Sequence, residues 1–220
     1  MLKTMISIRC SHFRNFCNRA KAEYVQGQSP TPGIREYFYY VDHNGMLFQD
    51  DSRMKHFTAA LKEKKLLYNF FKRLKPNETG RYMEEFKYIS LCGRERNFVR
   101  SLDRPIVFTH IKKLKIRGEE NWYLEHNWAE ELLVQPFKPN LICMVPNTGR
   151  VYHPGPSLAG GIGLVSDKLS MQWTTESRFR FDKGEENPPT SFIWENQEII
   201  LENKLLNLMT KEELGEDFIS

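Results

Sequence analysis

Arg94, Arg96 and Arg100 stand at even spacing in one short stretch. In an extended chain, side chains alternate between faces, so the three share a face with Phe98 and step about 7 Å for every two residues. A planar guanidinium makes paired hydrogen bonds to carboxylate or phosphate oxygens, so such a row suits recognition of an anionic group. The same row also suits a solvated surface balanced by Glu84, Glu85 and Asp103, where exposed ion pairs contribute little.

Cys92 is the one candidate nucleophile with a fitting neighbourhood: Arg94 and Arg96 favour a thiolate, and His110 or His153 would serve as its base. Its setting, Ser90-Leu91-Cys92-Gly93, equally suits a small, half-buried turn residue. Asp50 and Asp51 read as a helix cap rather than an acid/base pair. Gly160-Gly161-Ile162-Gly163 has no Lys-Ser/Thr after it, so it reads as a turn before a strand near Leu169 and not as a phosphate cradle. His43, His110, His126 and His153 are scattered, and no His-Glu-x-x-His or Cys-x-x-Cys spacing is present to hold zinc. The expectation is that no metal and no cofactor is used.

The elements that must position these groups are short. Tyr37 to Val41 and Met46 to Phe48 flank Asn44-Gly45, a strong hairpin signal because both central positions of the tight turn need positive φ. Asp50, Asp51 and Ser52 then offer an N-cap to a long helix with Phe57, Leu61, Leu67, Phe70, Phe71 and Leu74 along it, ended by Pro76 to Gly80. From Arg81 onward, strand-like runs dominate: Tyr82 to Phe86, Arg96 to Ser101, Ile106 to Ile111, Trp122 to Glu125, Leu141 to Val145, Lys168 to Trp173, Phe179 to Phe181, Phe192 to Trp194 and Ile199 to Leu201. Short turns between them argue for antiparallel pairing. The expected fold is α+β, mostly antiparallel and strand-rich, with one long helix in the N-terminal half and room for two β-rich subdomains.

The chain has 220 residues and its first acidic residue is Glu23; before it stand Lys3, Arg9, Arg14, Arg19 and Lys21 among apolar and hydroxyl residues. That composition is expected of a mitochondrial targeting peptide over residues 1–22, cut near Arg19 and Ala20. A linker at 23–34 should then lead into a globular region over 35–203, with a subdomain boundary near 112–140 and a C-terminal segment over 204–220. Without residues 1–22 the 32 basic residues become 27, against 28 acidic, so the charge balance argues against nucleic-acid binding. Charged or turn residues interrupt every apolar run well before the roughly 20 residues a membrane span needs, and the expected protein is soluble. Cys10 and Cys17 would leave with the peptide, and the remaining Cys92 and Cys143 fit a compartment where thiols stay reduced.

The runs Arg35 to His43, Cys92 to Phe98, Asp103 to His110 and Gly149 to Pro154 resemble those of a eukaryotic family catalogued as uncharacterised protein family 0598, over about Gln26 to Leu201. The resemblance implies residence in the mitochondrion and carries no catalytic residues across. The order of elements is also similar to a bacterial family of unknown function built from two strand-rich halves, each with a helix.

Two classes of function follow. The leading one is a noncatalytic binding or assembly factor of the mitochondrial matrix, with an unidentified protein partner or an anionic small ligand. The other is an enzyme acting on an anionic small metabolite, anchored by Arg94, Arg96 and Arg100 and using Cys92 or a histidine. A deep pocket uniting those groups favours the enzyme, and a broad exposed aromatic or apolar surface favours the binder.

Overall fold

The computed structural model describes residues 23–210 and Leu214. The expected targeting segment 1–22 lies outside the described residues, as does most of the acidic tail.

The first sheet is built from β1 (Gln28–Thr31), β2 (Ile34–Val41), β3 (Leu47–Gln49), β4 (Leu74–Pro76), β5 (Tyr88–Cys92) and β6 (Glu95–Ser101). Its order is β1-β2-β6-β5-β4, with β3 also on β2. The second holds β7 (Val107–Ile116), β8 (Glu119–His126), β9 (Val134–Pro136), β10 (Cys143–Val145), β11 (Arg150–Pro154) and β12 (Ile162–Val165), in the order β10-β11-β12-β7-β8-β9. A small third sheet joins β13 (Phe179–Arg180), β14 (Ser191–Trp194) and β15 (Gln197–Ile200). The α-helices among the described residues are α1 (Lys64–Phe71) and α2 (Asp167–Thr175). The stretch 23–34 contributes β1 to the first sheet and lays Tyr24 against Phe38 of β2.

This corrects the expected fold class in two respects. Both large sheets are mixed, each with a parallel pair at its centre among antiparallel ones: β2 runs parallel to β6 from Arg35↔Glu95 to Val41↔Ser101, and β12 runs parallel to β7. Parallel partners need a long crossover, and the whole of β3, α1, β4 and β5 lies between β2 and β6. Short turns reveal only the pairing of sequence neighbours.

The expected long helix is also absent. Leu61 donates its N–H to the Leu47 carbonyl at 2.8 Å, and Leu74 pairs with Ser90 in a strand, so sheet contacts claim both ends of the periodic run. What remains is the eight-residue α1, capped by Glu63, whose carboxylate accepts the N–H groups of Lys65 and Leu66. Lys168 to Trp173, expected as a strand, lies instead in α2, which buries Leu169 and Trp173 four residues apart on one face. Tyr82 to Phe86 is a loop, with Tyr82 at φ +55° and the Phe86 N–H on the Tyr82 carbonyl.

The main core joins residues of both large sheets, among them Val41, Val99, Val107, Leu124 and Leu164, with Phe70 of α1, Trp173 of α2 and Phe192 of β14. By the two-residue period of a strand, the opposite face of the first sheet carries a separate aromatic cluster: Phe38, Phe86, Ile89 and Phe98, covered by Tyr24 and Tyr82. No described helix is long and apolar enough to cross a membrane.

Candidate anion-binding cleft

The candidate site lies at one end of that aromatic face. Parallel register sets Glu36, Phe38 and Tyr40 of β2 beside Arg96, Phe98 and Arg100 of β6. The middle of this double row is dry, because Tyr24 stacks on Phe38 with ring centres 3.9 Å apart and Tyr82 meets Phe98 edge-on at 5.1 Å. Charge is therefore confined to the two ends.

At the near end Glu36 is fully buried and answered side-on by Arg81, Nε to Oε1 at 3.0 Å and Nη2 to Oε2 at 3.0 Å, with Gln28 donating to Oε2 at 2.8 Å. That carboxylate is committed to holding the 78–86 loop on the sheet.

At the far end the buried carboxylate is Asp50. Its Oδ1 accepts the Arg100 Nε–H at 2.6 Å, and its Oδ2 accepts the Tyr24 hydroxyl. The Arg100 guanidinium lies 5.1 Å from the centre of the Tyr40 ring and the Lys55 ammonium 5.5 Å from it, both within reach of the ring's negative face. Lys55 donates to the carbonyls of Asp50 and Ser52, each at 3.0 Å, which leaves its third proton for another acceptor. Tyr40, Lys55 and Arg100 line an open cleft of about 480 Å³, completed by Asp42, His43, Ser101 and Leu102.

Asp42 and His43 belong to the hairpin turn. The Asp42 Oδ1 accepts the N–H groups of Asn44 at 3.0 Å and Met46 at 2.8 Å, which shapes the turn. His43 sits with Nε2 3.1 Å from the Asn44 amide and 3.7 Å from the Asp167 carboxylate at the start of α2. Burial, and the Asp42 charge beside it, hold the Tyr40 phenol above its ordinary pKa, so it stays a neutral platform. Among the described residues no hydrogen bond occupies the two terminal nitrogens of Arg100. They present the end-on edge of the fork, the geometry that takes two oxygens of a carboxylate or phosphate.

Of the three sequence-marked arginines, only Arg100 lines the cleft. Arg96 shares its face but is separated from it by buried Phe98, about 13 Å along the strand. Arg94 precedes β6, exposed in the turn after Gly93. Lys55 was missed because it lies in an irregular segment without periodicity. Asp50 was read as a cap, since nothing local shows that its partner stands fifty residues away.

The proposed nucleophile is not assembled with a base. Cys92 closes β5, with its Sγ 3.8 Å from Arg73 Nη1 and from Ser90 Oγ, and it does not line the cleft. His153 is fully buried, its Nε2 accepting the Lys138 N–H at 3.0 Å and its Nδ1–H donating to the Pro154 carbonyl at 2.8 Å. Burial lowers its pKa to about 4, so it is neutral and fully occupied. His110 lies on the second sheet against Trp128, 3.9 Å from Glu125. Gly160 and Gly161 form a turn as expected, but Ile162 and Gly163 already belong to β12, and no strand follows near Leu169; a Cβ at Gly163 would stand 2.5 Å from the Phe108 ring.

A family model described as Domain of unknown function (DUF4505) matches residues 26–206. Among solved structures, a DUF1285 family protein from Silicibacter pomeroyi DSS-3 aligns over 87% of this chain and 92% of its own, at 15% identity and a TM-score of 0.42. A DUF1285 family protein from Shewanella baltica OS155 aligns over 69% of this chain and 98% of its own, at 12% identity and a TM-score of 0.36.

Proposed function

We propose that this chain, which belongs to the family described as Domain of unknown function (DUF4505), is a noncatalytic binding protein that holds an oxyanion in the cleft around Arg100. One observation carries the reading: Arg100 is anchored by its Nε on buried Asp50, no described hydrogen bond occupies its terminal nitrogens, and the residue lines an open cleft that Lys55 shares. A guanidinium held from behind loses little side-chain freedom when it takes a ligand. Arg96 and Arg94 act in this reading as steering charges that raise the local concentration of anions without touching the bound one.

The mitochondrial matrix is the proposed site of action. The acid-free start and the resemblance of Arg35 to His43 and its companion runs to uncharacterised protein family 0598 support it. Fusing residues 1–22 to a fluorescent reporter should send it to mitochondria, and a cytosolic reporter would remove the address.

Binding is tested by titrating the protein with inorganic phosphate and, separately, with succinate, following the Arg100 Nε–Hε resonance. The wild type should bind at least one of them, more weakly as salt is added. R100Q should abolish binding, and R100K should restore little of it because the fork is lost. R100Q that binds like the wild type overturns the proposal. The enzyme reading keeps one supporting feature, since His43 lines the same cleft between Asn44 and Asp167 and stands where a base would meet a held anion.

A further inference from the structure

The segment 23–27 is the first described part of the chain, and it does more than lead into β1. Tyr24 is laid flat on Phe38 at 3.9 Å and edge-on to Phe86 at 5.6 Å, so its ring is fixed before its hydroxyl is considered. Gln26 clamps the same segment, donating from Nε2 to the Phe38 carbonyl at 2.7 Å and accepting the Phe38 N–H at 2.9 Å. The hydroxyl so placed donates to Oδ2 of Asp50, whose side chain is 1% exposed.

The Asp50 carboxylate is thus divided between two donors on opposite sides. The Tyr24 hydroxyl orients the carboxylate by holding Oδ2 on its own side, and Arg100 is bonded at Oδ1 through Nε alone. Arg81 shows the other arrangement on the same sheet face, where Glu36 offers both oxygens and engages Nε and Nη2 together. A buried carboxylate oxygen without a donor is costly, so an Asp50 deprived of the tyrosine would turn both oxygens to Arg100 and draw in a terminal nitrogen.

Resting on the reading of the cleft as an anion site, we propose that Tyr24 is its positioning residue: it holds Asp50 to one contact with Arg100 and so leaves the end-on edge of the guanidinium free for a carboxylate or phosphate. The segment directly after the expected targeting peptide therefore sets the affinity of a site whose cation lies 76 residues further along the chain.

The test is Y24F, which keeps the ring stack and removes only the hydroxyl. Its Kd for inorganic phosphate should rise about ten- to a hundredfold, the effect of about one charge-assisted hydrogen bond. A terminal guanidinium proton of Arg100 should become slowly exchanging as the side-on pair forms, which simple loosening would not produce. R100Q is run beside it. If R100Q loses phosphate and Y24F binds like the wild type, the positioning role is overturned and the cleft stands; if R100Q itself binds like the wild type, both fall. Should Y24F fail to fold, the wild-type chain decides: the Tyr24 hydroxyl resonance should shift with that of Arg100 Hε as phosphate is added. A Tyr24 resonance indifferent to phosphate overturns the role.

Discussion

A Cβ placed on Gly45 would stand 2.9 Å from the Cβ of Val107, so the turn after β2 is pressed against the first residue of β7. One missing side chain lets the first sheet touch the second. Asn127 finishes the junction, donating to the Gly45 carbonyl at 3.3 Å and the Pro105 carbonyl at 3.0 Å while its Oδ1 accepts the Val107 N–H.

Gly45 and Gly33 have matching φ of +77° or just below, yet nothing lies within 4 Å of a Cβ at Gly33. Gly33→Ala should therefore cost only the strain of positive φ, about 1 kcal/mol. Gly45→Ala adds the collision with Val107 and should cost about 2 to 4 kcal/mol, and Gly45→Val more. Urea unfolding of the alanine pair reads the difference; equal costs would show that the junction yields freely.

Arg81 answers a fully buried carboxylate while keeping 42% of its own side chain exposed. Arg81→Ala leaves the buried Glu36 carboxylate with the neutral Gln28 amide as its described side-chain donor and should cost about 3 kcal/mol, somewhat below the cost in a fully enclosed pair. The double change Glu36→Gln with Arg81→Gln should cost less than Arg81→Ala alone, because no charge is left buried. A double-mutant cycle in thermal unfolding checks this, and additive losses would refute it.

His126 and His153 are buried, and desolvation lowers the pKa of each to about 4 from 6.5. Between those values the unfolded chain binds more protons than the folded one, so stability rises with pH across that window. Lowering the pH from 7 to 5 should remove about 2 kcal/mol per histidine. His153→Gln keeps an acceptor and a donor for Lys138 and Pro154 without titrating, so its unfolding free energy should fall less over the same step. Identical pH slopes would show that His153 does not titrate as described.

Cys92 is half-buried at the end of β5 and remote in role from the cleft. Cys92→Ser should change stability by no more than about 1 kcal/mol and leave phosphate affinity within a few-fold. Loss of binding with unchanged melting would restore Cys92 to the site.

Local chemistry was legible in the sequence wherever a few adjacent residues decide the outcome. The hairpin around Asn44-Gly45, the β14–β15 turn at Glu195-Asn196 and the strands carrying Arg96, Trp122 and Phe192 all stand where alternation and turn residues place them. The shared face of Arg96, Phe98 and Arg100 was equally legible, because a strand has a period of two whatever it pairs with. What the tertiary structure alone decided was partnership across distance. Strand period does not say whether β2 meets β6 parallel or antiparallel, and that register is what brings Tyr40 beside Arg100. Nor does any local pattern show that Asp50, a credible helix cap, is instead drawn into the sheet by Arg100 and Tyr24, fifty residues ahead of it and twenty-six behind. A cap is worth about 1 kcal/mol, whereas a buried carboxylate needs charge and hydrogen bonds together. The larger demand prevailed, and it moved the proposed site from a row of arginines to the single one that Asp50 holds.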